Sequence, residues 1–260
     1  MIESLMPIKT FIFDLNGTVW RWNTLAPNTE NVISRLRKNR KKVYFVTNSA
    51  YFSRDQIAQR LNKFGVDAKS TDIVSSGYAA AKYFESESIT AVNLIGGHGL
   101  SEEFDLLGIE NDADSEHILL SLDRNFNYTK LKEIFDRVQD GAKLYTAGMD
   151  RRFYIGDEIF PAEMPMLKAI KEFVDVPILN LGKPSKNMKT WLLEDIFLFP
   201  EDTMLVGDDL DTDIVFGNMC GFKTSVMLGG NTTKKQAEDA SGESRPDMVL
   251  SGMRDILKRL

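Results

Sequence analysis

Four short stretches of this 260-residue chain each set a reactive group just behind an apolar run. They are Asp14 and Asn16 in TFIFDLNGT, Thr47 and Asn48 in VYFVTNS, Lys183 in LGKPS, and Asp208, Asp209 and Asp213 in MLVGDDLDTDI. Carboxylates at 14 and 208 suit Mg²⁺, which takes few carboxylates and fills its octahedron with waters and phosphate oxygens. The Lys183 ammonium and the Thr47 hydroxyl suit the remaining oxygens of a phosphoryl group. Asp14 would then be free to attack phosphorus, because a carboxylate can act as a nucleophile through an aspartyl-phosphate. Each stretch alone has a plainer reading. Asn16-Gly17 can be a turn, Thr47 to Ser49 and GKPS can be loops capping helices, and GDDLDTD can be an acidic helix start or a poor calcium loop. Their weight lies in a shared address behind strands.

That address needs strands to supply it. Phe11-Ile12-Phe13 is too short and too apolar for anything but a buried strand. Val32, Ile33 and Leu36 predict a helix over 28–40, and 43–46 reads as the next strand. Ser53 and Gln56 form a capping box for a helix whose apolar face is Ile57, Ala58, Leu61 and Phe64, with Gly65 as its stop. Further on, 91–95, 118–122, 142–145 and 177–181 read as strands, 129–138 and 166–174 as helices, and 110–116 and 149–158 as loops. Ser185 predicts a helix running through Trp191 to Phe197, followed by strands at 204–206, 224–227 and 248–250 with helices between and after them. Strands alternating with helices imply right-handed βαβ units and a doubly wound, Rossmann-like α/β fold with a parallel sheet. In such sheets ligands bind outside the carboxyl ends of the strands, where the reactive groups lie.

Composition narrows the classes. Apolar residues make up 43% and charged residues 27%, a soluble globular balance. A net charge of -6 argues against nucleic acid as the partner. No apolar run is long enough to span a bilayer and the N-terminus does not read as a signal peptide, so no membrane partner is expected. The single cysteine, Cys220, excludes an internal disulfide, fits a reducing cytoplasm and is expected in the core. His98 and His117 lack partners at metal spacing, GGHG at 96–99 reads as a flexible loop, and RKNRKK at 37–42 as a solvated helix end.

FDLNGT, FVTNS, LGKPS and VGDDLDTDI, in that order, resemble the four motifs of the haloacid dehalogenase superfamily. About 130 residues separate the second and third, and an insertion of that size resembles the C2-type cap of the NagD-like, p-nitrophenyl-phosphatase branch. SLDRNFNYTKL, FPAEMPMLKAI and RPDMVLSGMRDIL fit the same branch, so the resemblance covers essentially the whole chain. It implies a core of residues 1–80 and 180–260 with an inserted α/β cap at 81–179. It also implies a Mg²⁺-dependent hydrolase of small-molecule phosphate monoesters, with a homodimer compatible. Carried over, Asp14 is the nucleophile, and Asp14, the backbone carbonyl of Asn16 and Asp208 hold Mg²⁺. Thr47, Asn48 and Lys183 bind phosphate, and Asp209 or Asp213 supports the metal-bound water or Lys183.

Two departures stand out. The phosphatase pattern has Asp at position 16, where its acid protonates the leaving oxygen, and this chain has Asn16. A carboxamide can neither give nor take that proton, a loss of about 10²–10⁴ in rate. An engineered trap, a weak natural enzyme and a phosphate-binding regulatory protein all stay open. Asn16-Gly17 is also a pair that can deamidate, restoring Asp. In the cap, TAGMDRRF at 146–153 has Gly148 where relatives carry Asn, which leaves Asp150 and Arg151 or Arg152 as substrate contacts, or the arginines as a solvated hairpin pair. A dehalogenase fits less well, because its nucleophile needs no metal and GDDLDTD suits one.

Overall fold

The computed structural model describes residues 4–155, 158–196 and 198–260. β1 (Thr10–Asp14) sends Phe11 and Phe13 into one apolar cluster and Ile12 into another, as in a strand covered on both faces. A small hairpin follows, β2 (Trp20–Arg21) and β3 (Thr24–Leu25), then α1 (Thr29–Lys38), β4 (Lys42–Thr47), α2 (Arg54–Lys63), β5 (Ile73–Ser75) and α3 (Ser76–Ser86). The middle of the chain holds β6 (Ala91–Ile95), α4 (His98–Asp105), β7 (Glu110–Asn111), β8 (His117–Leu120), α5 (Tyr128–Gln139) and β9 (Lys143–Thr146). It continues through the hairpin β10 (Arg152–Ile155) and β11 (Glu158–Pro161) to α6 (Glu163–Lys171) and β12 (Ile178–Asn180). The last part is α7 (Lys186–Asp195), β13 (Thr203–Gly207), α8 (Val215–Cys220), β14 (Lys223–Met227), α9 (Lys234–Asp239), β15 (Met248–Leu250) and α10 (Arg254–Leu257).

Two parallel sheets result. One runs β15-β14-β13-β1-β4-β5 and the other β12-β9-β8-β6-β7. From β1 the chain moves outward through β4 and β5, and later fills the other side through β13, β14 and β15. The strand order therefore reverses between β1 and β13, and the sheet opens a crevice there beyond its carboxyl ends. Asp14, Thr47 and Asp208 all leave their strands at that end.

The Ser53–Gln56 capping box forms as expected, Gln56 N–H donating to the serine hydroxyl oxygen and Ser53 N–H to the glutamine side-chain oxygen. Several expectations change. The segment 149–158 is not all loop: β10 and β11 pair antiparallel, setting Phe153 opposite Phe160. Its arginines masked the strand-forming Phe153, Tyr154 and Ile155; residues 156 and 157 lie outside the described residues. Glu110 and Asn111 form a short exposed edge strand on β6. GGHG is no flexible loop, for Gly97 caps α4 and Gly99 is buried against the Phe52–Ser53 backbone with no room for a Cβ. The helix expected over 166–174 begins earlier, at Glu163, and ends at Lys171. α7 ends at Asp195, and the expected terminus Phe197 is outside the described residues. β5 and α3 lack a sequence signal, one being too short for periodicity and the other alanine-rich. The 80/81 division falls inside α3, whose Ala79 packs with the first sheet and whose Ala80, Ala81 and Phe84 pack with the second. Among the described residues, no helix is long and apolar enough to cross a membrane. Cys220 is buried, as expected.

Candidate active site

Asp14 ends β1 buried, and its Oδ1 accepts from Lys183 Nζ at 2.7 Å. The same ammonium donates to Asp213 Oδ1 at 2.6 Å. Burial works against the Lys183 charge, and Asp14 and Asp213 outweigh it, raising the ammonium above its ordinary range. Asp213 spends its other oxygen on the backbone N–H groups of Asp208 and Asp209. A widened, π-helical turn over Leu210–Ile214 turns Asp213 back toward the lysine. Asp209 Oδ1 accepts from the N–H groups of Asp211 and Thr212, so its carboxylate caps that turn.

Asp208 follows β13. Its Oδ2 accepts from Asn231 N–H at 2.6 Å and its Oδ1 from the Thr18 hydroxyl at 3.4 Å. Gly17, at φ +98°, passes so close that a Cβ there would stand 2.3 Å from the Asp208 carboxylate. The backbone at 17 thus needs glycine twice over, for its left-handed conformation and for the approach. Carboxylate oxygens of Asp14, Asp208 and Asp213 lie within 4.8 Å of one another. Burial first, then Asp213, push Asp14 up to about 8 against the pull of Lys183. Burial, with Asp14 and Asp213 after it, raises Asp208. Three carboxylates gather here and the one ammonium pairs with only two of them, an excess of oxygen donors that fits a hard divalent cation.

Thr47 ends β4, and its hydroxyl oxygen accepts from Ser49 N–H, leaving the hydroxyl proton free to donate into the crevice. Asn48 does something else with its side chain. Its Oδ1 accepts from Lys183 N–H at 2.6 Å and its Nδ2 donates to the Lys183 carbonyl at 2.9 Å. The amide clamps the lysine backbone and also reaches Asp150 Oδ1 at 3.3 Å. Asn16 is half-buried, and its side-chain oxygen accepts from the Trp20 indole N–H at 2.9 Å. Gly17 N–H donates to the Trp20 carbonyl, so both groups that must meet in deamidation are engaged.

From the second sheet's side, Asp150 faces this crevice, with Glu163 beside it at the start of α6. Burial and then Glu163 push Asp150 up to about 8, and burial pushes Glu163 up to about 7. Arg151 stands 81% exposed, 3.8 Å from Asp211, while Arg152 lines the crevice and donates to the Asn231 side-chain oxygen at 3.2 Å. Arg151 lies in the bend just before β10 and Arg152 is the strand's first residue. Sequence reasoning passed over Asn231, Trp20 and Glu163. Asn231 follows β14 and obeys the same strand-end rule; Glu163 carries no signal beyond an acidic helix start.

A doubly wound α/β sheet with an acidic crevice at its switch point, one buried lysine and a second sheet over it defines a class of catalytic scaffold. Residues 11–110 match the haloacid dehalogenase-like hydrolases, and residues 180–256 match a second group of HAD-hydrolase-like proteins. Phosphoglycolate phosphatase 2 of Arabidopsis thaliana is 30% identical over 96% of this chain and 93% of its own length. Two solved structures share the fold across 98% of the chain. A 4-nitrophenylphosphatase from Thermotoga maritima has TM-score 0.89, 24% identity and 98% of its length covered. A glycerol phosphate phosphatase from Mycobacterium tuberculosis, in complex with magnesium, has TM-score 0.87, 23% identity and 79% covered. The chain belongs to the haloacid dehalogenase-like hydrolase family.

Proposed function

We propose that this chain hydrolyses phosphate monoesters of small molecules through an aspartyl-phosphate on Asp14, and that Asn16 slows it. The observation that carries the reading is the buried Asp14–Lys183–Asp213 chain at the switch-point crevice. Lys183 holds Asp14 against an incoming anion and binds a phosphate oxygen. Thr47 donates to another, Asn48 fixes Lys183 in place, and Asp213 orients its ammonium. Asp14, the Asn16 backbone carbonyl and Asp208 would hold Mg²⁺, and the magnesium complex of the mycobacterial relative supports that choice. When bound, the cation supplies charge neutralisation between the carboxylates and the phosphoryl oxygens. Residues 81–179 act as a cap that admits the ester.

The proton step is where the chain should falter. Assayed with Mg²⁺ and a panel of phosphate esters, Asn16→Asp should turn over about 10²-fold faster than the chain itself. Alkyl esters should gain most, since their leaving oxygens need the proton. The unaltered chain should accumulate phosphate on the Asp14 peptide, visible by mass spectrometry. Equal rates would remove the role given to position 16. A variant inert toward every ester would favour a protein that only binds phosphorylated ligands.

A further inference from the structure

Position 16 lacks a proton carrier, yet a second carboxyl stands over the same crevice. Asp150 follows β9, is half-buried, and lines the crevice together with Asp14, Thr47 and Lys183. It hangs from the Asn48 amide that also clamps Lys183, and its charge is felt at Asp14. Among the described residues, no lysine or arginine forms an ion pair with it, and the pull of Lys183 toward its ionised form is outweighed by burial and the neighbouring acids. We infer that Asp150 carries the proton that Asn16 cannot, giving it to the leaving oxygen and recovering it from the attacking water. The inference rests on the phosphatase reading above.

The charge around Asp150 suits that task. Glu163 bears on it from α6, Asp209 and Asp213 from the turn behind β13, and Lys183 from the loop before α7. With burial as the largest cause, the acids outweigh the lysine and push the carboxyl up to about 8, so it holds a proton at neutral pH. An acid serves best when its pKa lies near the working pH. In the first step an Asp14 oxygen bonds to phosphorus as the ester P–O bond breaks. The electron pair leaves on the ester oxygen, and the Asp150 proton moves to it, releasing the alcohol. In the second step water attacks phosphorus and its proton passes to the Asp150 carboxylate. The bond to Asp14 breaks, returning the pair to Asp14 and freeing phosphate.

Four chains test this with Mg²⁺: the chain itself, Asp150→Asn, Asn16→Asp and the double variant, each on ethyl phosphate and 4-nitrophenyl phosphate. Asp150→Asn keeps the side chain's shape and its partner Asn48, and a retained thermal midpoint and inorganic phosphate affinity confirm the fold. We expect it to lower kcat on ethyl phosphate by about 10²-fold in the unaltered chain and by under about 3-fold in the Asn16→Asp background. The nitrophenolate burst, whose leaving group needs no proton, should change little, and the limb of the pH–rate profile that reports a protonated group should vanish. An equal loss in both backgrounds would make Asp150 a substrate-binding residue and overturn the proposal. So would no loss in the unaltered chain. If neither the chain nor Asn16→Asp releases phosphate from either ester, the phosphatase reading itself falls and takes this step with it.

Discussion

Two acid clusters meet across one crevice, and only one of them has a paired cation. Asp14 and Asp213 share the Lys183 ammonium at 2.7 and 2.6 Å. Asp150 and Glu163 have no such cation among the described residues, and both are pushed upward in pKa. A buried carboxyl either finds a counter-charge or keeps its proton. Burial pushes Asp14 up to about 8 as well, so Lys183 alone does not ionise the first cluster fully and a divalent cation would have to complete it, while the second cluster is placed to hold protons.

Removing the lysine should break the contrast most violently. Lys183→Met strips the first cluster of its cation, leaving Asp14 and Asp213 facing each other. Phosphate incorporation on Asp14 should fall below detection, and urea unfolding without divalent cations should show a loss of about 3–5 kcal/mol. A smaller effect should come from the second cluster. A carboxyl whose folded-state pKa lies above its unfolded value stabilises the fold fully below that unfolded value, and the contribution is lost as pH rises through the folded pKa. For Glu163 the window runs from its ordinary 4.5 to about 7, and for Asp150 from 3.8 to about 8. Glu163→Gln should leave stability unchanged near the acid end and raise it by about 1–3 kcal/mol at the alkaline end, read as the difference between two urea series. The smallest effect belongs to the hinge between the clusters' chemistry, position 16. Trp20→Phe removes the indole donor and should cost about 1 kcal/mol. The freed Asn16-Gly17 pair should then gain the deamidation mass unit faster than in the parent chain.

The sequence made the first cluster readable because its members sit where strands end. Phe11 to Asp14 and Met204 to Asp208 each announce a buried strand by apolar run alone, and the parallel topology does the rest. The second cluster was half readable: Asp150 stood out beside its arginines, while Glu163 looked like any acid opening a helix. What joins them, Asn48, was legible as a residue but not as a clamp, because its partner Lys183 lies 135 positions away. The β10–β11 pairing escaped because the polar residues around these strands hid three strand formers. Asn231 escaped because its contribution is a backbone N–H, which has no letter of its own.

Arg152 touches Asn231, and the N–H of Asn231 steadies Asp208. A hairpin that, on the proposed function, would shape what enters is thereby wired by two hydrogen bonds to an acid lining the crevice. Grafting a different hairpin to change the preferred ester would also disturb that acid, so selectivity and turnover in this scaffold are inherited as a pair.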